Sequence, residues 1–62
     1  MSGFCTKNSV YYVDTTKKTI TGGIFGSYPC RYECLSAMIG TCAIIELGKG
    51  KVVKTSTITA YI

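Results

Sequence analysis

The chain contains no histidine, and its carboxylates number only three: Asp14, Glu33 and Glu46, scattered along the sequence. A general acid–base pair or triad would have to be assembled from these, with cysteine as the one strong nucleophile. Glu33 beside Cys34 is no recognised catalytic arrangement, and 62 residues that must also build a core leave few positions for chemistry. The expectation is a protein that is not an enzyme. No apolar run approaches the roughly 20 residues of a membrane-spanning helix. The opening Met1–Thr6 lacks the basic start and apolar centre of a secretory leader. The sequence therefore reads as soluble and cytoplasmic, without a membrane partner, and with Cys5, Cys30, Cys34 and Cys42 reduced. Zinc sites generally need two close cysteine pairs, and here only Cys30 and Cys34 are close. Cysteine as a small buried hydrophobe is the better account, and no metal or other cofactor is expected. The stretch GGIFGS at Gly22–Ser27 lacks the spacing and the lysine of a phosphate loop.

What is present is apolar and basic. Residues 1–62 have room for one small β domain. A chain this short buries roughly 60% of its unfolded surface. It nevertheless carries 47% hydrophobic residues and a mean hydropathy of +0.28. Some of that load is expected to be covered by a second copy or a ligand, which predicts a homo-oligomer. The net charge of +4 favours an anionic partner: a nucleotide, a nucleic acid or an acidic protein face. A simple solubility charge is the competing account.

The chain is organised around Met38–Ile62. Thr41–Leu47 is expected as one strand, Gly48-Lys49-Gly50 as a three-residue turn, and Lys51–Ile62 as the return arm. Ile44, Ile45, Val52, Val53 and Ile58 are β-branched, which suits a pleated, half-buried surface. Alternation puts Ala43, Ile45 and Leu47 on one face and Cys42, Ile44 and Glu46 on the other. On the return arm Val52, Ile58, Ala60 and Ile62 share one parity, and a turn near Thr55-Ser56 is able to switch it. Upstream, residues 1–7 read as a lead-in from which Phe4 and Cys5 can join an edge strand. Asn8–Asp14 reads as a strand with Val10 and Tyr12 on one side, Tyr11 and Val13 on the other. Thr15–Lys18 is a polar turn and Thr19–Thr21 a short strand paired back on the first. Gly22–Pro29 is a loop whose Ile24, Phe25 and Tyr28 either lid the core or face a ligand or second subunit. Cys30–Ile39 is expected as a strand through Arg31 and Tyr32 followed by a short helix, ended by Gly40. The expected fold is mainly β: a strongly bent antiparallel sheet or SH3-like barrel of about five short strands with at most one short helix.

Two groups of residues are candidates for holding an anionic ligand. Tyr28, Arg31 and Tyr32 bring two rings and a guanidinium together, all able to stack on a base. Lys54, Thr55 and Ser56 place ammonium and hydroxyl donors side by side, as phosphate oxygens require. Core packing competes for the aromatics and an ordinary solvated strand face for the others. Lys17, Lys18, Lys49 and Lys51 offer an alternative electrostatic surface.

The segment IGTCAIIELGKGKVVKTSTITAYI, with its aliphatic strand, Gly-containing turn and Lys54-Thr55-Ser56-Thr57-Ile58 run, resembles small β-barrel proteins of phages and mobile elements. The opening TKNSVYYVD resembles their first strand. The resemblance implies a binding protein in the host cell cytoplasm that counters host immunity. It would do so by sequestering a nucleotide second messenger at subunit interfaces, or by blocking a defence nuclease complex through protein or nucleic-acid binding. A structural assembly subunit is the third reading.

Overall fold

The computed structural model describes residues 2–62, and Met1 of the expected lead-in lies outside the described residues. Seven strands follow one another: β1 (Ser2–Thr6), β2 (Val10–Asp14), β3 (Thr19–Gly22), β4 (Cys30–Arg31), β5 (Cys34–Ser36), β6 (Cys42–Gly48) and β7 (Lys51–Tyr61). They form one antiparallel sheet in the order β4-β3-β2-β1-β7-β6-β5, curled into a half-barrel. The expectation of a small bent β-sheet holds, with seven strands in place of about five.

The curl follows from connectivity. The two outermost strands, β4 and β5, are consecutive in the chain and separated only by Tyr32 and Glu33. The Tyr32 N–H donates to the Lys18 carbonyl at 3.0 Å, and the Glu33 N–H donates to the Glu46 carbonyl at 2.7 Å. The backbone therefore steps from one edge of the sheet to the other within two residues. Where a flat sheet would leave long edges open to further pairing, this corner leaves only short ones.

Three expectations are corrected here. The lead-in is an interior strand: β1 lies between β2 and β7, because Phe4 belongs to the core and its backbone pairs on both sides. The strand expected from Asn8 begins at Val10, since Thr6 and Ser9 close a tight turn through Thr6 N–H to Ser9 O at 2.8 Å. No helix forms in Cys30–Ile39. Cys34, Leu35 and Ser36 pair with Glu46, Ile45 and Ile44, and exposure alternates along the segment. Pairing with β6 satisfies the backbone and half-buries Leu35, so tertiary context overrides a weak helical spacing. Gly40 does take a positive φ of 94°, within a turn that carries the chain into β6.

The central hairpin is tighter than expected. Gly48 pairs with Lys51, which leaves a two-residue turn of Lys49 and Gly50 with φ of 55° and 79°. Positive φ at both positions is the pattern of a type I′ turn. On β6 the alternation holds, with Ala43 and Ile45 buried and Ile44 and Glu46 exposed. On β7 the register switches. Cys42 pairs with Thr57 and Ile44 with Lys54, so a bulge sits at Thr55-Ser56. It turns both Thr55 and Ile58 inward, whereas Val52, expected on the face of Ile58, is exposed.

The core collects one or two residues from most elements: Phe4, Tyr11, Val13, Ile20, Tyr32, Ala43, Ile45 and Ile58. Phe4 and Tyr11 stack with centroids 5.1 Å apart, and Phe25 meets Tyr11 edge-on at 6.1 Å. Phe25 sits in a single 3-10 turn, Gly23–Phe25, that folds over this aromatic group. A Cβ at Gly23 would lie 2.2 Å from the Tyr11 ring, so only glycine fits there. Of the three large residues of this loop, Phe25 is the lid; Ile24 and Tyr28 are exposed.

Candidate functional site

The barrel-closing corner creates a depression of about 480 Å³ lined by Lys18, Arg31, Tyr32, Glu33 and Leu47. Its residues come from separate parts of the chain. Lys18 ends the β2–β3 turn, which is shaped by Asp14: one carboxylate oxygen accepts the N–H groups of Thr16 and Lys17, each at 3.1 Å. Lys18 itself has a φ of 55° and its Nζ donates to the Glu33 carbonyl at 3.4 Å. Arg31 ends β4 and is exposed. Leu47 sits beside the β6–β7 turn, and the Glu33 carboxyl group lies against Gly48 of the same turn. The β2–β3 turn, through Lys18, and the end of β6, through Leu47, thus meet at this depression.

Two cations, one carboxylate, a leucine and a tyrosine make a mixed lining with net positive charge. A volume of about 480 Å³ falls within the roughly 300–1,000 Å³ of small-molecule sites. Lys18 and Arg31 can pair with phosphate oxygens, and Glu33 can accept hydrogen bonds from hydroxyl or amide donors of a bound group.

The structure divides the residues singled out in the sequence. Arg31 and Tyr32 share the depression. Tyr32, however, is only 7% exposed and belongs to the core, so its ring face is packed against protein and does not present a stacking surface. Tyr28 is 84% exposed and lies outside the depression. Lys54, Thr55 and Ser56 are elsewhere, at the β7 bulge, and line none of the described concavities. Thr55 is 8% exposed and its hydroxyl is spent on the backbone, accepting the Ala43 N–H at 3.0 Å and donating to the Ser56 carbonyl at 2.8 Å. Ser56 Oγ accepts from Asn8 Nδ2 at 2.8 Å, tying β7 to the β1–β2 turn. Thr55 and Ser56 thus serve the bulge, and Lys54 alone of the three is exposed. Lys18, Glu33 and Leu47 also line the depression; the sequence marks Lys18 as a surface charge and Glu33 as an isolated carboxylate, with nothing to join them.

The four cysteines are free; Cys5, Cys30 and Cys42 are half-buried and Cys34 is exposed, which corrects the expectation of burial for the last. Among the described residues no group of three or more His, Cys, Asp or Glu is placed to hold a metal ion. No helix among them is long and apolar enough to cross a membrane. No family model, curated protein or solved structure matches the chain.

Proposed function

We propose that this chain is a non-enzymatic binding module that takes a phosphate-bearing ligand of the nucleotide class in the Lys18–Arg31 depression. The observation that supports this most is the convergence of two cations from different elements on one concavity that also carries a leucine and a carboxylate. Lys18 and Arg31 would hold phosphate oxygens, Glu33 would accept from the sugar or base, and Leu47 would cover an apolar face. Nothing in this arrangement requires the ligand to be cleaved. Sequestration, the role implied by the phage-protein resemblance, needs only affinity. A second copy would cover an apolar patch, which supports the expectation of self-association. Met38, Ile39, Tyr61 and Ile62 are exposed and contiguous, since the Tyr61 hydroxyl donates to Ala37 O at 2.9 Å and accepts the Ile39 N–H at 3.2 Å.

Native mass spectrometry of the protein with a panel of mono- and cyclic nucleotides reads assembly and ligand together, and calorimetry then gives affinity. Arg31→Ala and Lys18→Asn should each weaken binding at least tenfold while leaving the fold intact, because both side chains are exposed and Asn tolerates a positive φ. Unchanged affinity in both variants removes the depression as the site.

A further inference from the structure

The outer face of β2, β3 and β4 carries a second concavity, of about 240 Å³, lined by Tyr12, Asp14, Lys17, Thr19, Thr21 and Pro29. Strand register explains its composition. Tyr12 pairs with Thr21, Asp14 with Thr19, and Thr19 in turn with Arg31. Residues paired across antiparallel strands project from the same face. Asp14, Thr19 and Arg31 therefore make one row, and Tyr12 and Thr21 make the row beside it. Their neighbours in sequence, Tyr11, Val13 and Ile20, fill the core from the opposite face. The outward rows are left to solvent, and Tyr12 is 46% exposed. Thr19 and Thr21 line this space together with Tyr12 and Pro29, and short side chains at the two threonine positions suit a slot. Tyr28, 84% exposed, directly precedes Pro29.

Charge frames the slot. Lys17 lines it, and Arg31 stands at the end of the Asp14–Thr19 row, where it also enters the Lys18 depression. One oxygen of the Asp14 carboxylate accepts two backbone N–H groups of its own turn. Slot and depression are linked through Arg31, which lines the depression and is the cross-strand partner of Thr19 in the slot.

We propose that this face is a stacking platform for unpaired nucleobases, so that the ligand is a single-stranded nucleic acid: one phosphate enters the Lys18–Arg31 depression while a neighbouring base lies against Tyr12. This rests on the reading of the depression as a phosphate site. The slot is smaller than the roughly 300 Å³ at which sites enclose a whole small molecule, which suits one base of a longer ligand. An aromatic wall receives the base face, threonine hydroxyls reach its polar edge, and Lys17 and Arg31 meet flanking phosphates. A proline-rich peptide also packs on exposed rings, but it offers nothing for the cations. A duplex keeps its bases stacked on one another and has none to give Tyr12.

Fluorescence anisotropy with a labelled 12-residue oligothymidine tests this, alongside a duplex of equal length and thymidine monophosphate in calorimetry. The single strand should bind more tightly than either. Tyr12→Ala should weaken it by about 5- to 140-fold, the range expected for one stacked base. Tyr12→Phe should preserve binding, and the monophosphate should be indifferent to both changes. Equal binding of duplex and single strand, or an unchanged Tyr12→Ala variant, overturns the platform. A monophosphate that binds through Arg31, with an oligonucleotide that binds no better, overturns the platform and spares the depression. Oligonucleotide binding lost in Tyr12→Ala but unaffected in Lys18→Asn and Arg31→Ala overturns the proposal and the depression together, because no phosphate then uses the depression. Binding of no probe overturns both.

Discussion

Replacing Thr55 by valine removes a hydroxyl and keeps nearly the same shape, which isolates the hydrogen bonds at the β7 bulge. Thr55 Oγ1 accepts the N–H of Ala43, a residue with 0% exposure. In Thr55→Val that N–H loses this acceptor at a position closed to water. Leaving a buried donor unpaired costs about 1–3 kcal/mol. The Ser56 carbonyl, which also loses its donor, belongs to a half-buried residue. For a chain of 62 residues total stability is on the order of 3–9 kcal/mol, so a loss near 2 kcal/mol is a large fraction. It corresponds to a melting temperature lower by about 8–16 °C in a domain of this size. Urea unfolding followed by tyrosine fluorescence and thermal melting by circular dichroism both read it. Thr55→Ser, which keeps the hydroxyl, should lie between valine and the parent chain. Thr59→Val is the control: its hydroxyl reaches the Cys5 carbonyl only at 3.4 Å and the residue is exposed, so the change should stay within about 0.5 kcal/mol. If Thr55→Val matches the Thr59 control, the bulge does not depend on that hydroxyl and the assignment of Thr55 to structure fails.

Two further stability measurements test the fold. Ile45→Ala should cost about 2–5 kcal/mol and bring the chain close to unfolding, because Ile45 is fully enclosed and pairs with both Leu35 and Val53; a loss below 1 kcal/mol in urea would contradict its central place. Lys49→Asn should raise stability by up to about 1 kcal/mol, since Asn-Gly suits two positive φ angles better than Lys-Gly; a lower melting temperature would argue against the type I′ geometry.

Much of the candidate site was out of reach of sequence reasoning. Arg31 was legible as a cation near aromatic residues, and the Thr55-Ser56 pair as a place where register switches. At Thr55 and Ser56 the structure shows hydroxyls engaged by the strand backbone and by Asn8. A hydroxyl that can hold phosphate can equally satisfy a strand's own backbone, and only burial distinguishes the two. For Tyr32, too, burial decides: the corner that makes it a neighbour of Arg31 also places its side chain in the core. Lys18, Glu33 and Leu47 meet because the chain crosses the mouth of the half-barrel at Tyr32-Glu33, and no local pattern announces such a crossing.

The sequence by itself determined the β character, the central hairpin and the inward face of β6. These depend on nearest-neighbour alternation, β-branching and glycines at a turn, and such terms act within a few residues of one another. It also set the basic charge and the shortage of groups for acid–base chemistry. The tertiary structure alone decided that β1 lies inside the sheet, that Cys34–Ser36 is strand where a helical turn was open, and which cations face the same space. Those outcomes depend on pairings between residues far apart in the chain, whose hydrogen bonds and buried area outweigh weak local preference.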